Sequence, residues 1–396
     1  MNRFASALST AAGLDEAIAE VTRATRAVLG ASRPSLAVVF AAHEHREGFA
    51  DLARRIRAGT GADRLLGCAG DTVVGGGREI EEGASLSLWL ASFPEGEVET
   101  FRLEVETDEQ AIHIQGFPGV DDDADPVKRR ASLLLIGDPY TFPADLFLQQ
   151  LNESRPAIKV IGGMASGGGA PGENALFVDD ECVRDGAVGA ILRGIPMRHV
   201  VSQGCKPVGR SMVITRSHEN VIDELAGRPP LEQLKKVFDD SSDEEKQLLQ
   251  RATRGGGLHI GQVVDERISN PARGDFLVRN VMAADPKTGS MHIGDHARRG
   301  RTVRFHVRDA RSADEDLRDL LATAKQPAAP AGALLFTCNG RGRALFEQPD
   351  HDAAAVQTLL GPLPAAGFFA AGEIGPVGGR NFLHGFTASV ALFDAE

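Results

Sequence analysis

Residues 332–393 run through strand, glycine-arginine loop, helix, strand, glycine turn and strand, and the chain uses that order two more times. In the last copy an apolar run (334–338) leads into Asn339-Gly340-Arg341-Gly342-Arg343. Ala353, Val356, Leu359 and Leu360 then fall at three- and four-residue spacing, the period of a helix packed by one face. A second apolar run (367–370) breaks at Ala371-Gly372-Glu373, and Phe386, Ala388, Val390 and Leu392 alternate as a closing strand. The first copy starts at Leu36, passes through a helix bearing Phe49, Leu52 and Ile56, and reaches LLGC (65–68). Ala69-Gly70-Asp71, a triple glycine and the alternating Leu86, Leu88 and Leu90 follow. The second runs from Leu133 through Leu146, Leu148 and Leu151 to KVIGG, Ala165-Ser166-Gly167 and GAVGAILRG (186–194). From strand start to small-residue triplet the three copies take 33, 32 and 37 residues. Three copies of one supersecondary unit are internal repeats, and a spacing of about 100 residues between the first two is too long for a solenoid.

The repeats predict a mixed α/β (α+β) fold of two domains built from strand-helix-strand-strand units. An amphipathic helix occupies 1–30, with Leu14, Ala17, Ile18, Val21, Thr25, Val28 and Leu29 on one face. Two repeats fill 31–196. The second domain, 197–396, carries the third repeat at 332–393. Within it, 202–225 reads as two strands around Ser217-His218-Glu219-Asn220, followed by a helical section to about Arg254. Pro286-Lys287-Thr288-Gly289 is a hairpin turn, 291–307 a strand pair, and 313–324 a helix.

Composition excludes several function classes. A net charge of −12 argues against a nucleic-acid or anionic-membrane surface. The four cysteines, Cys68, Cys182, Cys205 and Cys338, form no CxxC pair, which suits a reducing cytoplasm. The N-terminus is interrupted by Asp15, Glu16 and Glu20, so it reads as neither signal peptide nor membrane helix. No Gly-Lys-Ser/Thr triplet follows the glycine turns, and GDTVVGGG lacks dinucleotide-binding spacing. The acidic run Asp121–Asp123 with Asp125 lacks the glycine and distal glutamate of a calcium loop. His43 with His45, and His292 with His296, have no third metal ligand in reach.

The chemistry that remains gathers in the third repeat. Loops after the carboxyl ends of strands line the ligand crevice of α/β sheets. Cys338, Asn339 and Arg341 follow one strand there, and Glu373 follows the next. Arg341 either holds a ligand carboxylate or forms an ion pair with Glu373. His384, at the start of the closing strand, completes the expected pocket. Cys205 and Cys338 are candidate nucleophiles, the bland reading of each being a buried, inert thiol.

Several long motifs resemble the FIST proteins (F-box and intracellular signal transduction). LLGCAGDTVVGGGREIEEG, VIGGMASGG and GAVGAILRG resemble the family's N-terminal domain. SQGCKPVG, ENVIDELAG, LLFTCNGRG, GFFAAGEIGPVGG and FLHGFTASVALF resemble its C-terminal domain. Asp71 stands where the third copy has Glu373, and Ser166-Gly167 replaces the acid in the second. The resemblance implies a two-part sensory module binding small ligands, amino acids among them, with no catalysis of its own. Certain bacterial members bind haem and sense nitric oxide, so haem is an alternative cofactor where otherwise none is expected. A cysteine-dependent enzyme acting on a small metabolite is the other alternative. With no kinase, methyl-accepting or F-box segment, a downstream signalling protein or self-association carries the output. No nucleic acid and no membrane insertion are expected.

Overall fold

Each repeat sets its first two strands side by side and parallel, because a single crossover segment joins them. The computed structural model describes residues 1–108, 111–119 and 131–395; the acidic run 120–130 lies outside them. In repeat one Leu36–Ala42 and Arg64–Gly70 flank the helix Phe49–Thr60. In repeat two Ala131–Gly137 and Lys159–Met164 flank Ala144–Ser154. In repeat three Gly332–Cys338 and Ala365–Ala370 flank His351–Leu360. The closing strands, Leu86–Ser92, Ala187–Arg193 and Ala388–Phe393, return antiparallel on the far side of each first strand. Strands buried on both faces read as unbroken apolar runs, which is why these were legible. Val38 and Phe40 face a core shared with Leu134, Ile136, Leu334 and Phe336 of the other two repeats. Ala37 and Val39 face the helix of their own repeat.

The glycine turns of the sequence are short hairpins, and each leaves its own repeat. Leu176–Val178, from repeat two, pairs with the second strand of repeat one. Glu373–Val377, from repeat three, pairs with the second strand of repeat two. Val73–Gly75, from repeat one, pairs with the second strand of repeat three. Each sheet is thus completed by the hairpin of the repeat after it, and the third by that of the first. One hydrogen bond marks the crossing each time: Ala69 N to Ala175 O (2.8 Å), Met164 N to Gly372 O (2.7 Å) and Phe369 N to Thr72 O (2.9 Å). Gly67, Gly162 and Gly367 hold one place, opposite Val39, Leu135 and Leu335. A Cβ on them would sit 1.9, 1.8 and 1.9 Å from the carbonyl oxygens of those residues, so only glycine fits. Hairpin register also moves the acid: Glu373 faces Gly163 as Val73 faces Phe368 and Leu176 faces Cys68. Val73 and Leu176, rather than Asp71 and Ser166, occupy its place.

The exchange divides the chain differently from the expected boundary near 197. Met1–Val201 and Arg318–Glu396 form one compact unit, and Ser202–Leu317 the other. Repeat three folds with the first two because its sheet needs the Val73–Gly75 hairpin and its own hairpin completes repeat two. Ahead of the expected helix (Leu14–Leu29), Arg3–Ser9 forms a strand that pairs with Leu86–Ser92.

The inserted unit is a closed antiparallel barrel, in the order Cys205–His218, Val221–Leu225, Met291–Ile293, Phe276–Ala284, Leu258–Val263, Thr302–Arg308. The expected strand pair at 291–307 is two strands that do not pair with each other: Met291–Ile293 pairs with Val221–Leu225 and Phe276–Ala284, Thr302–Arg308 with Cys205–His218 and Leu258–Val263. Two helices, Pro230–Asp240 and Asp243–Gly255, supply Val237, Leu248, Leu249 and Ala252 to the barrel core. Among the described residues no helix is long and apolar enough to cross a membrane.

Candidate functional site

Cys338 ends the first strand of repeat three, and the chain then turns through Asn339 and Gly340. Three loops meet there. Cys338 N donates to Thr387 O (2.9 Å) and Asn339 N to Ala370 O (3.0 Å). Asn339, Ala371 and Gly385 are exposed, and Cys338 is half-buried. Arg341 turns back beneath the loop, where it is only 1% exposed. Its Nε and Nη2 donate to Asp352 Oδ2 and Oδ1 at 2.6 and 2.8 Å, the bidentate geometry that planar guanidinium suits. Its Cζ lies 5.1 Å from the centroid of the Phe346 ring, which stacks on His351 at 3.4 Å. His351 Nδ1 is 2.8 Å from Asp352 Oδ1.

The helix beginning at His351 owes its start to the exchanged hairpin. The first turn of a helix leaves backbone N–H groups without partners. Here Asp352 N and Ala353 N both donate to Glu79 Oε1 (2.9 Å each), a side chain of the repeat-one hairpin strand Arg78–Ile80. Glu79 N in turn donates to Asp350 Oδ1 (2.6 Å). Repeat one therefore caps the helix that carries Asp352.

Three buried carboxyls lie in this site, and only Asp352 bonds the guanidinium. Burial opposes the Asp352 charge, but Arg341 and His351 outweigh it and hold that carboxyl well below the usual range. Burial also opposes the Arg341 charge, and Asp352 more than restores it. Glu79 has no cation of its own. Burial, then the Asp352 charge, pushes it up to about 8, against the two N–H donors. Glu373, fully buried at the first position of its hairpin strand, is also pushed up to about 8 by burial. Its Oε2 accepts from Thr387 N (2.9 Å) and Oγ1 (2.8 Å), and the Cys338 thiol hydrogen-bonds the same carboxyl. At neutral pH the site holds one ion pair and two protonated carboxyls. Among the described residues Arg341 Nη1 has no partner, although the side chain is buried and the nearby Cys338 and Glu373 add to its charge stabilisation.

Cys338, Arg341 and Glu373 are therefore brought together, with Asn339 at the mouth. Arg341 does not lie at the rim and does not pair with Glu373; Asp352, eleven residues on and at the start of the helix, takes its bidentate edge. Glu373 is likewise buried rather than at a rim. His384 ends the hairpin strand Arg380–His384 instead of starting the closing strand. It is the cross-strand partner of Glu373, and its Nε2 is 2.9 Å from Gly375 O. Cys205 belongs to the barrel unit, buried with Val263, Phe276 and Val278. Sequence reasoning missed Asp352, Thr387 and Glu79. Asp352 carried a signal, an acid in the first turn of a predicted helix close after an arginine; Glu79 carried none. Among the described residues no three metal-ligating side chains cluster, so neither histidine pair gains a third ligand.

Comparison with known proteins bears on the whole chain. The FIST N domain family matches residues 35–228 and the FIST C domain family 230–376. The seam between the matches falls inside the barrel unit rather than at its edge. An uncharacterized protein of Mycobacterium tuberculosis is 42% identical over 393 residues, covering 99% of both chains. An uncharacterized protein of Mycobacterium bovis is 42% identical over 380 residues, covering 96% of this chain and 95% of its own.

Proposed function

The chain belongs to the FIST family, and on that premise we propose that it is a cytoplasmic sensory protein that binds a small polar molecule at the mouth of repeat three. FIST domains are consistent with a sensory module of signal transduction. The observation that carries the ligand is Arg341 Nη1, a buried donor with no acceptor beneath an exposed loop. Leaving such a donor unpaired costs about 1–3 kcal/mol, and a ligand carboxylate would recover it. The site is otherwise neutral, so a single anionic group is the charge it can accept. Amino acids and short organic acids fit that description, and Asn339 can hydrogen-bond their remaining polar groups. Occupancy would reach a downstream protein through the loops that Cys338, Asn339 and Thr387 tie together, without turnover of the ligand.

Calorimetric titration with a panel of amino acids and organic acids tests this on the full chain. Arg341→Lys keeps the charge opposite Asp352 and removes the forked geometry, so it should weaken the best ligand about 10- to 100-fold. A panel with no binder below about 1 mM, or equal affinity in a folded Arg341→Lys protein, would reject the reading.

A further inference from the structure

The position of Cys338 recurs in repeat two as Asp138: each is the residue after a pair aligned with the closing strand, Thr337 with Ala388 and Gly137 with Ala187. The backbone agrees, since Asp138 N donates to Gly186 O and Cys338 N to Thr387 O, both at 2.9 Å. Asp138 Oδ2 accepts an N–H from the residue two further on, Tyr140, at 3.1 Å. Cys338 Sγ accepts the corresponding N–H, from Gly340, at 3.4 Å. The thiol thus occupies a seat that holds a carboxylate elsewhere in the same molecule. Where repeat two has Thr141 hydrogen-bonding its aspartate, repeat three has the Arg341 guanidinium. A sulfur anion would meet an amide N–H and a buried positive charge.

We propose that Cys338 is a nucleophilic thiol that reacts with small hydroperoxides, with the Glu373 carboxyl as its proton relay. Only the thiolate attacks, so the Sγ proton must leave first. The protonated Glu373 carboxyl is held at Thr387, as Cys338 is, and takes that proton on one oxygen while the other gives its own to the peroxide. Sγ then attacks one peroxide oxygen, the S–O bond forms and the O–O bond breaks. The leaving oxygen departs with the proton that Glu373 gave up, as water or an alcohol, and the carboxyl ends protonated as it began. Sulfur loses two electrons to become a sulfenic acid and the peroxide gains them. Arg341 Nη1, buried and without a partner, is the donor available to the leaving oxygen. The reaction is stoichiometric. It shares the site with the ligand reading above but requires no ligand, so either can fail alone.

The test uses hydrogen peroxide on the reduced full chain, with a sulfenic-acid trap and peptide mass spectrometry. Cys182, half-buried in the hairpin strand Glu181–Val183, is the internal comparison. Cys338 should be trapped at least about tenfold faster than Cys182, and Glu373→Gln should lower that ratio about tenfold in protein whose melting is cooperative. Labelling of Cys338 no faster than Cys182 in the wild type overturns the proposal, whether or not the variant folds. A ratio unchanged by Glu373→Gln removes the proton relay and overturns it equally.

Discussion

The first strands of repeats two and three end in the same backbone and put it to opposite uses. After the first strand of repeat two, Asp138 Oδ1 accepts from Asn174 Nδ2 (2.9 Å), and its Oδ2 accepts from Tyr140 N (3.1 Å) and Thr141 Oγ1 (2.7 Å). Thr141 Oγ1 then accepts from Gly186 N (2.9 Å). Each of those oxygens has a donor, and the result is a closed latch. After the first strand of repeat three the aspartate becomes Cys338 and the threonine becomes Arg341, whose charge is answered by Asp352 while one nitrogen is left over. Duplication supplies a stable frame, and the copy whose polar groups do not close on themselves is the one available for function.

The strongest way to break the comparison is to attack the frame both ends share. Gly162→Val and Gly367→Val each drive a side chain into a backbone carbonyl, of Leu135 and Leu335. Both should cost more than about 4 kcal/mol or prevent folding. Urea titration that finds one tolerated and the other not would end the equivalence of the two crossings.

Next in size is the difference between the two seats. Arg341→Ala leaves Asp352 charged and buried, at about 3–5 kcal/mol. Thr141→Ala, at the corresponding place, removes one neutral hydrogen bond, at about 0.5–1.5 kcal/mol, and one to the Asp138 carboxylate, at about 1.5–3 kcal/mol, and strands no buried charge. Equal midpoints in denaturant would mean that the Arg341–Asp352 pair is no more than a second latch.

The pH response follows in magnitude. Glu79 and Glu373 are raised from an ordinary 4.5 to about 8 in the fold. Between those values the folded chain holds protons that the unfolded chain has lost, so stability falls as pH rises from about 4.5 to 8. Each group contributes at most about 1.4 kcal/mol per pH unit. Glu373→Gln should flatten the fall in melting temperature over that range. The barrel has the opposite sign: burial lowers His306 from 6.5 to about 4, so its contribution is lost as pH drops through that interval. Calorimetry at pH 5 and 8 that shows the repeat unit gaining stability with rising pH would contradict the protonated carboxyls.

How much of this the sequence displayed depends on how far apart the partners lie. Strands such as Leu36–Ala42 announce themselves because both faces are buried and every residue must be apolar. The hairpins did not, since Val73–Gly75 is three residues long and its partner, Ala365–Ala370, belongs to another repeat. That single exchange hid both the true division of the chain and the capping of repeat three by Glu79, whose acceptor atom is 273 residues from the N–H of Asp352. For Arg341 the misreading was local. An arginine and a glutamate after neighbouring strands suggested a rim pair, but the intervening helix put Asp352 closer and in line with the guanidinium fork.

The smallest expected effect is also the sharpest test of the shared seat. Cys338→Asp installs in repeat three the residue that repeat two already has. If the loop is an anion seat, the new carboxylate accepts the Gly340 N–H, takes a hydrogen bond from protonated Glu373 and lies near the Arg341 charge. Those contacts offset the cost of partial burial, and the change in stability should stay within about 1 kcal/mol. If the thiol merely fills an apolar gap, the same substitution buries a poorly solvated charge and costs several kcal/mol. Cys338→Val separates size from charge, because it is harmless in an apolar gap and strands the Gly340 donor in an anion seat. Denaturation of the two variants side by side gives the answer: Cys338→Asp no less stable than Cys338→Val supports the seat, and the reverse order by 2 kcal/mol or about that removes it.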